Sequence, residues 1–87
     1  MEISSTMTVN ILYFAQARDL AGRGEESLEL AAGANVADAL RELRKRHRGL
    51  DPLWPHLAIA VDGLLAGLDV PLHAGAEIAL LPPVSGG

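Results

Sequence analysis

One segment of this chain, residues 36–48, carries a long helical apolar stripe, and short two-residue alternations flank it on both sides. Val36, Ala39, Leu40, Leu43 and His47 recur at the spacing that puts side chains on one face of a helix. Asn35 is a suitable N-cap, and Asp38 three residues on sits by the positive end of the helix dipole. Arg41, Arg44, Lys45, Arg46 and Arg48 fill the second half, where cations complement the negative end, and Gly49 fits a left-handed cap. With 87 residues there is room for one domain only, so this single stripe must be buried against the strands of the same unit.

The strands follow from period-two patterning. Val9, Ile11 and Tyr13 alternate with their neighbours and predict a strand over Thr8–Phe14. Residues 15–25 read as a connector with one helical turn at 17–21, and Ser27–Ala31 as a second strand with Leu28 and Leu30 inward. After the helix, Leu57–Val61 predicts a third strand. Asp62-Gly63 is a tight turn signal, Leu64–Ala66 a short return strand and Glu77–Leu81 the last strand, ended by Pro82-Pro83. The order strand, strand, helix, strand, short strand, strand predicts an α+β domain: a mixed sheet with one main helix packed across one face, joined by a right-handed crossover. That is the β-grasp, or ubiquitin-like, architecture. Residues 1–6 are expected to be a flexible extension, 7–81 the β-grasp domain and 82–87 an extended tail.

Composition narrows the function. No cysteine is present, so there is neither a disulfide nor a thiolate metal site, which suits a reducing compartment; the cytoplasm is the expected location. No apolar run approaches the ~20 residues of a membrane span, and no membrane partner is expected. The formal charge of −4 disfavours nucleic acid. His47, His56 and His73 lack the close spacing of a metal motif, so no metal is expected. The serines form no nucleophile elbow and the glycines no phosphate loop. Asp62 and Asp69 are better explained as turn and strand-end residues than as a catalytic pair. The basic run 41–48 reads as a solvated helix face, with Glu42 and Arg46 as an (i, i+4) pair. Residues 51–87 contain four acids and no Lys or Arg, so an acidic surface beside the tail favours a basic partner site.

The tail is the informative feature. Pro82-Pro83-Val84-Ser85-Gly86-Gly87 follows the last strand and extends to about 20 Å at ~3.3–3.6 Å per residue. The prolines stiffen its exit, and the two glycines have no side chain to obstruct a narrow channel. What such a tail delivers is the α-carboxylate of Gly87, a group that ATP can activate as an acyl adenylate and a sulfur nucleophile can convert to a thiocarboxylate.

The ending Ala79-Leu80-Leu81-Pro82-Pro83-Val84-Ser85-Gly86-Gly87 resembles the signature of the MoaD family, the small subunit of molybdopterin synthase. The segments Ile11–Gly22 and Asp69–Ile78 match it in type and spacing. Asp62, Val70 and Ala76 depart from the family's usual asparagine, threonine and aspartate. The resemblance implies a sulfur carrier whose Gly87 is adenylated by an E1-like enzyme, receives sulfur from a donor protein and supplies the dithiolene sulfurs that convert precursor Z into molybdopterin. No bound cofactor is implied; ATP is used by the activating enzyme. The chain would dock on the large synthase subunit in a heterotetramer, with Pro82, Pro83, Val84, Ser85 and Gly86 threaded into that subunit's pocket. Catalytic side chains would come from the large subunit, and this chain would be a sulfur-donating rather than a catalytic partner. Phe14, Arg18, Leu80 and Leu81 are the expected interface residues. Two other readings share the adenylate chemistry: the carrier of the thiazole pathway, and a ubiquitin-like modifier joined to lysines through Gly87. A plain interaction module with an inert tail is a third.

Overall fold

In β1 and β2 the apolar residues fall at alternate positions, and the sheet turns them to one side. The computed structural model describes residues 5–82. Strands β1 (Thr6–Tyr13), β2 (Glu25–Ala31), β3 (Ala58–Val61), β4 (Leu64–Leu65) and β5 (Glu77–Leu81) form one five-stranded sheet in the order β2-β1-β5-β3-β4. The central pair β1 and β5 is parallel; the other pairs are antiparallel. Helix α1 (Ala15–Ala21) follows β1, and α2 (Val36–Arg46) makes the crossover between β2 and β3. This is the expected β-grasp arrangement.

Alternation decides the core. Val9, Ile11 and Tyr13 of β1, Leu28 and Leu30 of β2, Ile59 of β3, and Ile78 and Leu80 of β5 turn to the helix side, where Val36, Ala39 and Leu43 of α2 cover them. The entry to α2 is fixed by a reciprocal cap. Asn35 Oδ1 accepts from the Asp38 amide at 3.0 Å, and Asp38 Oδ2 accepts from the Asn35 amide at 3.0 Å. Both hydrogen bonds satisfy donors that a helix start leaves unpaired.

Several boundaries differ from expectation. Thr6 already pairs with Ala31, and the Ser5 carbonyl accepts from the Ala32 amide, so the last residues of the expected extension join the sheet edge. The connector forms a seven-residue helix rather than one turn, closed by Gly22 in the left-handed region. Gly49 is not a left-handed cap. The helix ends at Arg46, and Gly49 lies in a single-turn 3-10 helix, Arg48–Leu50. A Cβ on Gly49 would lie 3.3 Å from the Leu20 carbonyl, so glycine here permits a close approach of that turn to α1. A second 3-10 turn, Trp54–His56, leads into β3.

His47 leaves the helical path and meets Glu26, whose side chain is 7% exposed. The Tyr13 hydroxyl donates to Glu26 Oε1 at 2.5 Å, His47 Nε2 lies 2.5 Å from the same oxygen, and Arg23 and Arg46 reach Oε2 at 3.4 and 3.8 Å. Burial alone would raise the Glu26 pKa; the hydrogen bonds from Tyr13 and His47 outweigh it and hold the carboxyl below its usual range. Burial, reinforced by that carboxylate, pushes the Tyr13 hydroxyl far up, so it stays a donor. The cluster ties β1, β2 and the end of α2 together. Among the described residues no helix is long and apolar enough to cross a membrane.

The two faces should respond differently to truncation. Leu43→Ala, wholly buried under the sheet, is expected to cost about 2–5 kcal/mol in urea unfolding. Leu65→Ala, on the exposed side, is expected to change stability by less than about 0.5 kcal/mol.

Candidate functional site

The outer face of the sheet is the side that α2 leaves bare. The register places Leu12 beside Ala79, Ala79 beside Ala60, and Ala60 beside Leu65, one apolar row across four strands that is half-buried at Leu12 and Ala79, buried at Ala60 and exposed at Leu65. Leu81 and Ala58 form the next row toward the tail. Phe14, the extended residue between β1 and α1, falls on the same side as Leu12 by the two-residue period; it is 45% exposed, and Leu65 is 78% exposed. Contiguous apolar patches on small proteins commonly mark partner surfaces, which makes this face the candidate docking site. Its border is acidic, with Glu25 beside Leu12 on β2, Glu77 at the start of β5 and Asp62 in the β3–β4 turn.

The chain leaves this patch directly into the tail. Leu81 is the last strand residue, half-buried beside Ala58, and Pro82 follows it. Arg18 is exposed on α1, and its guanidinium lies along Gly24, where a Cβ would be 3.5 Å from Nε. Leu80 does not belong to the patch. It pairs with Tyr13 and Ile59 and points to the helix side with no exposure, so it is core and not interface. Pro83, Val84, Ser85, Gly86 and Gly87 lie outside the described residues. The sequence reading missed Leu12, Ala60 and Leu65. Leu65 sits on a two-residue strand, too short for any periodicity to assign its side.

A clasp holds the hairpin that carries Leu65. Asp62, at φ 50°, accepts from the Glu77 amide with Oδ1 at 3.0 Å, and its Oδ2 lies 2.7 Å from His73 Nε2. His73 Nδ1 is 2.9 Å from the Ala74 carbonyl. Both ring nitrogens therefore face acceptors, which suits the imidazolium. The Asp62 hydrogen bond first, then the Ala74 carbonyl and the Asp62 charge, hold the His73 pKa above its ordinary 6.5. The Glu77 amide and His73 together hold Asp62 below the usual carboxylate range.

Sequence comparison agrees with this geometry. The ThiS family model matches residues 11–87. The chain belongs to the ThiS family. Among its ThiS/MoaD-type relatives is a molybdopterin synthase sulfur carrier subunit from Chlamydomonas reinhardtii, 34% identical over 93% of this chain and all of the relative. The small archaeal modifier protein 1 of Haloferax volcanii is also 34% identical, over 85% of this chain and 94% of the relative. The crystal structure of SAMP1 from Haloferax volcanii superposes with a TM-score of 0.84 at 31% identity, covering 92% of this chain and 99% of that one. A further structure is a complex of subunits 1 and 2 of the molybdopterin-converting factor from Helicobacter pylori. One of its chains is 32% identical, with a TM-score of 0.66 and coverage of 93% of this chain and all of that one.

In this ThiS-family chain the clasp has a testable sign. A raised folded pKa means that the clasp's stabilisation is present below pH 6.5 and is lost as pH rises through the folded value. An NMR titration is expected to place His73 above 6.5, and Asp62→Asn to return it toward that value. Equal midpoints in both proteins would contradict the clasp.

Proposed function

We propose that this chain is the sulfur carrier subunit of a molybdopterin synthase. The observation that carries the reading is continuity: the apolar outer face runs through Leu81 into the Pro82-Pro83-Val84-Ser85-Gly86-Gly87 tail. A partner that covers the patch therefore meets Leu81 and Pro82, the point from which the sequence continues to Gly87. The patch supplies apolar burial and its acidic border supplies orientation toward a basic rim, which is how charge contributes at an interface.

Gly87 is the reacting group. Its carboxylate attacks the α-phosphorus of ATP on an E1-like enzyme, giving the glycyl adenylate and releasing pyrophosphate. A sulfur nucleophile at the level of hydrosulfide displaces AMP, and the terminus becomes a thiocarboxylate. In the large subunit's pocket that sulfur bonds to a side-chain carbon of precursor Z, whose oxygen leaves as water, and a second water cleaves the acyl C–S bond, leaving the sulfur on the pterin and returning the terminus to a carboxylate. Two such deliveries complete the dithiolene, in a heterotetramer of two small and two large subunits. Phe14, Leu65 and Leu81 serve docking, Arg18 serves as a polar contact, and Pro82, Pro83, Val84, Ser85 and Gly86 serve threading.

A second reading, a protein modifier joined through Gly87 to lysines, is favoured by the equal 34% identity to small archaeal modifier protein 1. The two share the adenylate and part at what Gly87 is bonded to afterwards. The carrier of the thiazole pathway shares the thiocarboxylate and parts at its acceptor.

Intact mass after incubation with the E1-like enzyme, ATP and sulfide is expected to show one oxygen replaced by sulfur, and no change in a chain lacking Gly87. Conversion of precursor Z on adding the large subunit supports the synthase reading. A thiocarboxylate inert toward precursor Z, or an isopeptide bond to lysine without one, overturns it. Leu65→Glu is expected to weaken large-subunit binding at least about tenfold, roughly 1.4 kcal/mol, with unfolding unchanged.

A further inference from the structure

The basic residues of α2 do not scatter around the helix. Arg41, Arg44 and Lys45 lie three and four residues apart and form one stripe beside the buried one, and Arg48, from the 3-10 turn that follows α2, joins them at the same groove. Arg46 falls on another side and is engaged by Glu26. The stripe rims a groove of about 420 Å³ whose floor includes Leu40 and Leu68, the latter from the β4–β5 connection and 59% exposed. No carboxylate lines it. Leu68 is anchored through its carbonyl, which accepts from the Ala37 amide at 2.9 Å, so the apolar floor is fixed to the helix.

The charges are available. Arg41 pairs with Asp38 at 3.0 Å and Lys45 with Glu42 at 3.3 Å, both exposed (i, i+3) contacts of the kind worth at most about 1 kcal/mol. Arg44 lies 5.6 Å over the Trp54 ring. Among the described residues neither Arg44 nor Arg48 has a carboxylate partner. The net charge of the whole chain is −4, so this stripe is a local reversal of sign. α2 covers the inner side of the sheet, so the groove faces away from the outer apolar patch.

We propose that this groove docks an acidic segment of a partner protein that carries one aliphatic side chain between carboxylates. Four cations around an apolar floor match that pattern: carboxylates meet the rim, and the aliphatic side chain covers Leu40 and Leu68. On a second copy, strand β2 offers Glu25 and Glu29 with Leu28 and Leu30 buried, and the exposed Leu65 near Asp62 belongs to the face already assigned to the other partner. A nucleic acid would use the rim and leave the floor bare, and Trp54, the aromatic nearest the stripe, is already covered by Arg44. Since the two surfaces lie on opposite sides of the sheet, this partner and the one on the outer face bind together.

The test is a titration of the isotope-labelled full chain with the capped peptide Asp-Glu-Leu-Glu-Asp, followed by amide NMR. Saturable shifts at Leu40, Arg44 and Leu68 are expected, with binding about tenfold weaker for the same peptide carrying Ser for Leu. Arg44→Glu with Arg48→Glu is expected to abolish the shifts while the spectrum stays dispersed, and a chain lacking Gly87 is expected to bind as the full chain does. Equal binding of the two peptides, shifts centred elsewhere, tighter binding of a DNA duplex, self-association in place of peptide binding, or no saturation would each overturn the proposal.

Discussion

Everything in this molecule hangs on the parallel pairing of β1 with β5 at the centre of the sheet. Ile11 stands beside Ile78 and Tyr13 beside Leu80, and both rows face the main helix. Parallel neighbours cannot be joined by a hairpin, so the intervening chain must travel out, cross over and return. That requirement gives α2 its place. It also gives the molecule two unlike sides: one sealed by a helix, one open. The row Leu12, Ala79, Ala60 and Leu65 is the open side's counterpart of the buried rows, displaced by one residue.

Much of this was legible from residue pattern, because alternation in β1 and β2 and the Asn35 cap are local signals with local causes. Where pattern failed, the determining contact was distant. Ile78, Ala79, Leu80 and Leu81 are apolar at every position, so nothing within the strand says which pair faces inward. The pairing with Tyr13 and Ile59 decides it, and sends Leu80 to the core and Leu81 to the open face. Gly49 carries the right residue type for a left-handed cap, yet its role is to let the Leu20 carbonyl come close, a contact 29 positions away in sequence (49 − 20). His47 continues the helical stripe on paper, but Glu26 captures it across the gap to β2. The candidate site was legible in its tail and only partly in its docking face, since Leu65 needs the hairpin register to be placed.

The polar clusters divide labour in the same geometric way. Glu26, nearly enclosed, fastens the helix end to the sheet next to the strand end from which the tail departs. Asp62 and His73, both open to water, fasten the turn that presents Leu65. One is internal bracing; the other sets the pose of the surface a partner meets. The basic stripe of α2 and the turn after it lies outside both, and among the described residues its cations engage in two exchangeable pairs and the Arg44 contact with Trp54.

The central position of β5 has a consequence for how the protein is made. The strand that completes the core is the last of the five in chain order, so the other four and both helices are translated before it and emerge with their apolar faces uncovered. A chain that stops short of residue 77 lacks not an edge but the middle of its sheet. Such a fragment has no route to a closed core, and its exposed strands are material for proteolysis. The architecture thus works as a completeness check: a chain that has folded has necessarily been synthesised to within a few residues of the glycines on which its proposed chemistry depends.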